Sequence, residues 1–513
     1  MDSPPVTRSR RASSIEEVAM TTNSFYSKLI GLRSKIGLDI KRNKYQRMPN
    51  EENEVDFTEA SDKATVAQTY FTFFKSFMGI GVLALPHGFL LAGWWLGICM
   101  VLMASYTSYY CITLLLESRD TVENQINAGT VDPNVLPAGM LNTPSTVRAT
   151  EEDVLPAHEP KDITYSDIGR AAFGSMGAKI VDFAIVTAQI GFSTAYMIFI
   201  GNNVEAALGT CIGPATWMVI TAVLACPLVW LRSLKKLSFG AILADVAVVF
   251  GLAVIIIYAF NYAEDKARVQ ASPPYPTGPK PFIFFGMAVF AFEGAGIILP
   301  MKQSMQHPEE FAGILKTGMM VITIVYTMFP LVVYLCFGGT TKDMITANLP
   351  DGEAIVVVVE LSYSIGLYLT YPIQMFPAIQ ILEESRVYRT MKRTLEGKTF
   401  DNELGPSYLF RTVLVLVTLL CATTIPKFGT FVAIVGSVSC SLIAFILPAA
   451  FSIKLHPEER TTRKTYIKWG MLLFGLIGGL VSLVVELEDL TQSIGAPSTD
   501  ANFQRCNKIP VVP

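Results

Sequence analysis

The sequence predicts an all-α polytopic membrane protein with eleven transmembrane helices, and three observations lead to this class. Hydrophobic residues make up 51% of the 513 residues and charged residues only 16%, a composition typical of chains with many membrane spans. Eleven apolar stretches long enough to cross a bilayer follow one another along the chain. The first and sixth stretches are both interrupted near their middle, a pattern typical of membrane transporters.

The sixth stretch, Phe282 to Pro300, carries Glu293, Gly294 and Gly296 near its centre. A carboxylate at that depth costs roughly 2.5–3.5 kcal/mol on insertion scales, and glycines weaken helical hydrogen bonding. The pattern predicts an interrupted helix, which in membranes usually lines a binding site. The alternative is a helix that packs closely through its glycines and holds a protonated Glu293 inside the bundle.

The first stretch, Val66 to Leu90, repeats this design. Gly79-Ile80-Gly81 lies at its centre, Lys75 precedes the glycines by about one helical turn, and Pro86 follows them. Two interrupted segments at corresponding places in the two halves of a chain indicate a transporter site between them.

The spans divide the chain into four parts. Residues 1–65 are polar and basic, and we expect a disordered cytoplasmic tail. Residues 66–260 form a first set of five helices with a cytoplasmic insertion at 117–178, residues 261–453 form a second set, and residues 454–513 hold the eleventh helix and a non-cytoplasmic tail. Thr164 to Gly174, near the end of the insertion, has the spacing of a short interfacial helix. The spans are predicted at about 66–90, 94–116, 180–206, 215–231, 237–260, 282–300, 313–337, 355–382, 409–425, 428–453 and 466–485.

The distribution of lysine and arginine predicts the orientation. With a cytoplasmic amino terminus, the basic clusters at 232–236, 386–398 and 454–468 all fall on the cytoplasmic side, as the positive-inside rule requires. Because five spans precede the sixth, spans one to five and six to ten are then inverted with respect to each other.

Several classes of function are disfavoured by composition and motifs. The net charge of −3 implies no nucleic-acid partner, and the eight cysteines show no CxxC spacing for a zinc site. The sequence has no GxxxxGK[ST] motif and no nucleophile or metal constellation, so we expect no enzyme and no cofactor. Cys211 and Cys506 both fall on the non-cytoplasmic side, where a disulfide between them is possible. The oligomeric state is not predicted.

Short motifs along the chain, taken together, resemble those of the amino acid/auxin permease family. They occur in the family's order between about Gln68 and Phe451. The matching segments are Lys75 to Pro86, Tyr165 to Gly169, Phe290 to Gly294, Tyr363 to Gly366 with Thr370 to Gln374, and Ile425-Pro426 through Val435 to Ser437.

Within that family the chain looks like the branch of proton-assisted transporters of animals and vacuolar amino acid transporters of fungi. The resemblance implies eleven spans, a LeuT-type core of five plus five inverted helices, and amino acid transport. This chain has Phe77 and Ile80 where animal members tend to carry Asn and Thr, and Thr72 where they carry His. It has Lys302-Gln303 where the family often has an acidic residue followed by Asn.

The two interruptions suit a zwitterionic amino acid. Free N–H groups around Gly79 to Gly81 are expected to receive the carboxylate, and carbonyls freed near Phe290 to Glu293 to accept the ammonium. The predicted substrate-binding residues are Ser76, Phe77, Gly79, Ile80, Gly81, Phe290, Phe292, Glu293, Gly294, Tyr371 and Gln374.

Each of these side chains also has a structural interpretation. Phe77, Phe290 and Phe292 either shape and gate the apolar end of the pocket or serve as packing and lipid-facing material. Tyr371 and Gln374 either contact the substrate or form hydrogen bonds between helices.

Four titratable residues are candidates for proton coupling. Glu293 lies at the right depth to load and release a proton. Lys75 either pairs with Glu293 or another buried acceptor, or extends to the cytoplasmic interface. Asp245 is either a structural acceptor or part of an ion path, and His87 lies near the non-cytoplasmic end of the first span.

We therefore predict a secondary active amino acid transporter that is coupled to protons by symport and works by alternating access. Its partners are an amino acid substrate and the lipid bilayer. The alternatives are a sodium-coupled or auxin-like carrier, and a receptor that binds amino acids without transporting them. A vacuolar or lysosomal membrane is favoured, with the plasma membrane as the alternative.

Overall fold

The computed structural model of this chain describes residues 63–127, 163–209, 212–231, 238–265, 280–350, 352–395, 405–425, 427–457 and 463–494. The predictions for the amino-terminal tail, for most of the insertion, and for Cys211 and Cys506 fall outside these ranges. Within them the chain is helical, with one isolated bridge between Ala64 and Met305.

The α-helices follow one another with short connections. The first set is α1 (Val66–Phe77), α2 (Gly81–Ala92), α3 (Trp94–Asn127), α4 (Tyr165–Leu208), α5 (Pro214–Val229) and α6 (Ser238–Asp265). The second set is α7 (Pro281–Ala291), α8 (Ala295–Gln303), α9 (Phe311–Phe337), α10 (Ala354–Glu383), α11 (Arg386–Leu395), α12 (Gly405–Thr424), α13 (Phe428–Val435) and α14 (Leu447–Leu455), followed by α15 (Arg463–Ile494). Two π-helical segments, Gly436–Cys440 and Leu442–Ile446, join α13 to α14.

The helices confirm a polytopic membrane protein. Nine helical segments among the described residues are long and apolar enough to cross a membrane. The pair α1 and α2, bent by 49° at its break, makes a tenth, and α5 is a shorter apolar helix of 16 residues.

Helices extend into both ends of the predicted insertion. The helix α3 continues beyond Leu116 as far as Asn127. The helix α4 already begins at Tyr165, where the Thr164 side chain and Asp167 form a reciprocal cap. The short helix expected near Thr164 is therefore present, but it continues into the third span through a kink at Phe173-Gly174. Gly174 has a φ of +66°, a conformation that favours glycine.

The helix α7 lies at the centre of the bundle. It is apolar all round, and every residue from Ile283 to Ala291 is buried, as expected of an interior helix. Its backbone touches that of the π-helical segment directly, because a Cβ added at Gly436 would lie 1.9 Å from the Gly286 carbonyl oxygen. Small residues thus let the two segments approach more closely than side chains would permit.

A buried arginine joins three helices at one end of the bundle. Arg411 in α12, with 4% of its surface exposed, donates two hydrogen bonds to the Glu383 carboxylate at 2.9 and 3.2 Å. It also donates to the carbonyl of Val229 at 3.0 Å, at the end of α5. We call this end, where α1 also begins and the arginines of α11 lie, the basic end of the bundle.

We expect Arg411→Ala to lower the free energy of unfolding by about 3 kcal/mol, because it strands the Glu383 carboxylate and a buried carbonyl. The melting temperature of the purified protein in detergent measures this. Lys454→Ala, which removes an exposed charge at the end of α14, is the control and should stay near the wild-type temperature. An unchanged melting temperature for Arg411→Ala would contradict the role given to this contact.

Candidate functional site

The two helix breaks lie side by side. Residues 78–80 separate α1 from α2, and residues 292–294 separate α7 from α8. Gly294 lies against the Phe77 ring, and Gly81 lies against the backbone and side chain of Ala291. The two unwound segments therefore face a common region near the middle of the bundle.

The first break leaves several backbone N–H groups unpaired. The Met78 amide donates to Phe74 and the Gly79 amide to the carbonyl of Phe77, both at 2.7 Å. Among the described residues, no acceptor is in hydrogen-bond range of the amides of Ile80, Gly81 or Val82. These three amides form the amino-terminal turn of α2, where the partial positive charge of a helix favours an anion.

The second break leaves backbone carbonyls unpaired. The Glu293 amide donates to Phe290 at 3.4 Å, so the carbonyls of Val289 and Ala291 have no donor within the part of the chain that the structure describes. Glu293 itself caps the following helix, because its Oε1 accepts from the Gly296 amide at 3.4 Å. An exposed set of carbonyls at the end of α7 favours a cation.

Side chains from two neighbouring helices satisfy the other freed carbonyls. The Tyr326 hydroxyl in α9 donates to the carbonyl of Phe77. Ser108 in α3 donates through Oγ to the carbonyl of Phe292 at 2.9 Å. These bonds hold both breaks open at a fixed separation, which is how unwound helices are tolerated within a membrane.

The glycines of the breaks have different roles. A Cβ added at Gly79 would meet no atom within 4 Å, so this glycine borders open space. At Gly294 an added Cβ would lie 2.3 Å from the Phe77 ring, and at Gly81 it would lie 3.0 Å from Ala291. Gly81 and Gly294 were predicted to admit the substrate to the backbone, but the space beside them is filled by protein.

The predicted aromatic residues are packed around the breaks. The Phe292 side chain is fully buried, with its ring 5.2 Å from that of Tyr326. The Phe290 ring lies 4.7 Å from Phe192 in α4. These contacts match the packing interpretation, and they place Phe77, Phe290 and Phe292 as the wall that holds the breaks together.

The predicted polar residues form hydrogen bonds between or within helices. The Tyr371 hydroxyl lies 2.7 Å from Thr418 in α12. Gln374 donates to Gln189 in α4 at 2.5 Å. Ser76 donates to the carbonyl of Thr72 within α1 at 2.7 Å. The interhelical alternative for Tyr371 and Gln374 thus describes their contacts in this structure.

The four titratable candidates fall into separate places. Lys75 pairs with Asp245 of α6, with Nζ and Oδ2 3.7 Å apart, and not with Glu293. Both side chains are only partly exposed. His87 lies at the opposite end of the bundle, with Nδ1 3.4 Å from the carbonyl of Thr341. The structure therefore brings Lys75 and Asp245 together and leaves Glu293 at the break.

The contacts that close the basic end were not predicted. Lys302 in α8 binds both carboxylate oxygens of Asp120 in α3, at 3.0 and 3.2 Å. Asp120 lies in the predicted insertion, so its helical position was not expected. We name as the basic-end contacts this pair, the hydrogen bond from Gln303 to the Ile163 carbonyl, and the backbone bonds of Ser304 and Gln306 to Ala64.

A buried carboxylate in the last span was also missed. Glu486 in α15 has no exposed surface, and it accepts hydrogen bonds from Ser482 at 2.6 Å and Ser437 at 2.8 Å. Its Oε1 would lie 2.6 Å from a Cβ added at Gly286 of α7. Glu486 falls one residue beyond the predicted end of the eleventh span, so it was taken for an interfacial residue.

The difference between the glycines predicts opposite effects on stability. Gly294→Ala should lower the melting temperature by several degrees, because the Phe77 ring must move from its place in the wall. Gly79→Ala should leave it nearly unchanged. Thermal unfolding of both purified variants measures this, and equal melting temperatures would contradict the assignment of the two sites.

Comparison with known proteins identifies the family. Residues 62–130 and 148–487 match the family described as transmembrane amino acid transporter protein. Amino acid transporter ANT1 of Arabidopsis thaliana is 30% identical over 434 residues, which cover 82% of this chain and 91% of the relative. Amino acid transporter AVT3C of the same plant is 29% identical over 76% of this chain and 83% of its own length.

A yeast relative is similar over part of its length. Vacuolar amino acid transporter 4 of Saccharomyces cerevisiae is 26% identical over 77% of this chain, and the match covers 53% of the yeast protein. The family match includes both broken helices and nearly every described helix. This chain is therefore a membrane protein that belongs to the transmembrane amino acid transporter family, also called the amino acid/auxin permease family.

Proposed function

We propose that this protein is a secondary active transporter of amino acids, driven by protons and working by alternating access. One observation carries the proposal: unpaired amides at the first break lie beside unpaired carbonyls at the second. An amino acid presents a carboxylate and an ammonium on one carbon atom. The two breaks offer donors and acceptors for both groups at one place.

The substrate's backbone and side chain are recognised separately in this arrangement. The amides of Ile80, Gly81 and Val82 receive the carboxylate, and the carbonyls of Val289 and Ala291 accept the ammonium. The open space beside Gly79 is where the substrate approaches the first break. Since every amino acid carries the same two charged groups, the breaks confer affinity for the class and not for one member.

The proposal includes eleven spans and an inverted repeat. Counting α1 with α2 as the first span and the 16-residue α5 as the fourth gives eleven. The first and sixth spans are then both broken, and their breaks meet. This is the relation that a LeuT-type core of five plus five inverted helices requires, and it supports that architecture.

Alternating access assigns a role to the short helix α8. Its nine residues run from the substrate region at Ala295 to the basic-end contacts at Gln303. Lys302 joins it there to α3, and Gln306 joins the following residues to the start of α1. Opening the basic end requires these contacts to separate, so we propose that they act as the gate on this side.

Proton coupling is assigned to the titratable groups on the broken helices. Glu293 lies within the second break and caps α8. The Lys75–Asp245 pair joins α1 to α6, so protonation of Asp245 would weaken a contact between a broken helix and its neighbour. Both sites can tie a proton to helix movement.

The vacuolar membrane is the proposed location, with the amino terminus in the cytoplasm. The yeast relative's name places that protein's transport activity at the vacuole. An acidic lumen would supply the proton gradient. The basic end, with its arginines on α11, would face the cytoplasm.

Uptake into proteoliposomes tests the function. A panel of radiolabelled amino acids is offered to the purified protein, first with an imposed pH gradient and then with a sodium gradient. We expect accumulation that follows the pH gradient and disappears with an uncoupler. Accumulation that follows sodium alone would contradict proton coupling, and binding without accumulation would favour a receptor.

Blocking the open space should abolish transport. Gly79→Leu places a branched side chain beside the first break, and we expect uptake to fall at least 100-fold while expression and melting temperature stay near wild type. Gly313→Leu is the matched control, because its added Cβ also meets no atom within 4 Å but lies in α9, away from the breaks. Normal uptake by Gly79→Leu would contradict the placement of the substrate.

The gate is tested by a double-mutant cycle on Lys302 and Asp120. A partly exposed pair of this kind contributes up to about 1 kcal/mol, so each of Lys302→Met and Asp120→Asn should change the uptake rate several-fold. The double variant should be no worse than either single one. Glu123→Gln is the control, since it breaks a pair with Arg119 within α3 that does not reach α8. Fully additive effects would contradict a gating pair.

A further inference from the structure

The helix α11 is a basic segment that lies outside the transport site. Its ten residues, Arg386–Leu395, connect the eighth span α10 to the ninth span α12 at the basic end. The sequence RVYRTMKRTL contains four cationic residues and no acidic one. None of them takes part in the contacts at the breaks or in the gate.

Three arginines lie on one face of this helix. Arg386, Arg389 and Arg393 are spaced by three and four residues, so their side chains project from the same side over about 10 Å. All three are exposed. On the opposite side, Tyr388 and Leu395 form an apolar face.

The apolar face is fixed to the protein. The Tyr388 ring is buried and lies 5.0 Å from that of Phe410 in α12. Ser385 caps the start of the helix, where its Oγ accepts from the Tyr388 amide at 3.2 Å. Arg389 donates one hydrogen bond to the carbonyl of Glu384 at 2.8 Å. The arginine face therefore keeps a constant orientation with respect to α10 and α12.

The position of α11 places this face at the membrane surface. The helix begins directly after α10 ends at Glu383, and the next span begins at Gly405. Val387, at the border of the two faces, is 76% exposed although it is apolar. An amphipathic helix at this level lies among lipid headgroups, where a residue such as Val387 can meet acyl chains.

We propose that the arginine face of α11 binds the phosphate groups of anionic phospholipids in the leaflet at the basic end. Guanidinium groups bind phosphate with two parallel hydrogen bonds. Each basic residue near an anionic surface adds about 1 kcal/mol, which is about fivefold in affinity. Three arginines on one face, with no carboxylate in the helix to compete, match a cluster of anionic headgroups in charge.

The site is tested with the full chain in nanodiscs that contain phosphatidylcholine and phosphatidylserine. Native mass spectrometry counts the phosphatidylserine molecules that remain bound to the protein after release. The variant R386Q/R389Q/R393Q should lose most of its bound phosphatidylserine, with at least a tenfold drop in apparent affinity. The variant K179Q/K316Q/K454Q removes the same charge from exposed positions on three other helices and should retain it.

A second variant and a second measurement separate binding from folding. R386K/R389K/R393K keeps the charge and should retain most of the bound lipid. Amide hydrogen exchange of residues 386–395 should slow when phosphatidylserine is added to wild type, and not in the glutamine variant of α11. Equal lipid retention by the two glutamine variants, or exchange unaffected by phosphatidylserine in wild type, would overturn the proposal.

Discussion

The structure depends on one constraint, that backbone N–H and C=O groups within a membrane must find partners. Both broken helices violate it, and their neighbours are arranged to compensate. Tyr326 and Ser108 donate to the freed carbonyls of Phe77 and Phe292. The amides at the start of α2 and two carbonyls at the end of α7 stay unpaired among the described residues. What the protein leaves unpaired is complementary to the charged groups of an amino acid.

The same breaks divide two spans into segments that can move separately. The half-helix α7 is buried on all sides and meets the π-helical segment through Gly286 and Gly436, so it belongs to the fixed part of the bundle. The half-helix α8 is short and is held at its far end by polar contacts. Polar contacts at a partly exposed end are weaker than a close-packed apolar interface. The proposed movement therefore belongs to α8 and α1.

The sequence predicts the helical class, the two breaks and their residues, because glycines and a carboxylate at mid-span are costly in an unbroken membrane helix. It does not distinguish Gly79 from Gly81 and Gly294, since only packing shows which glycine faces protein. Tyr371 and Gln374 look like site residues for the same reason. Asp120 was missed because α3 continues past the apolar stretch, and a polar helical extension resembles a loop when only hydropathy is considered.

Binding of the substrate carboxylate by the amides of Ile80, Gly81 and Val82 is the central claim. The most direct test is an experimental structure of the protein in a lipid nanodisc with a transported amino acid bound. We predict density for the carboxylate within about 3.2 Å of these amides, with the ammonium facing the carbonyl of Ala291. An amino acid bound elsewhere, with both breaks unoccupied, would contradict the central claim.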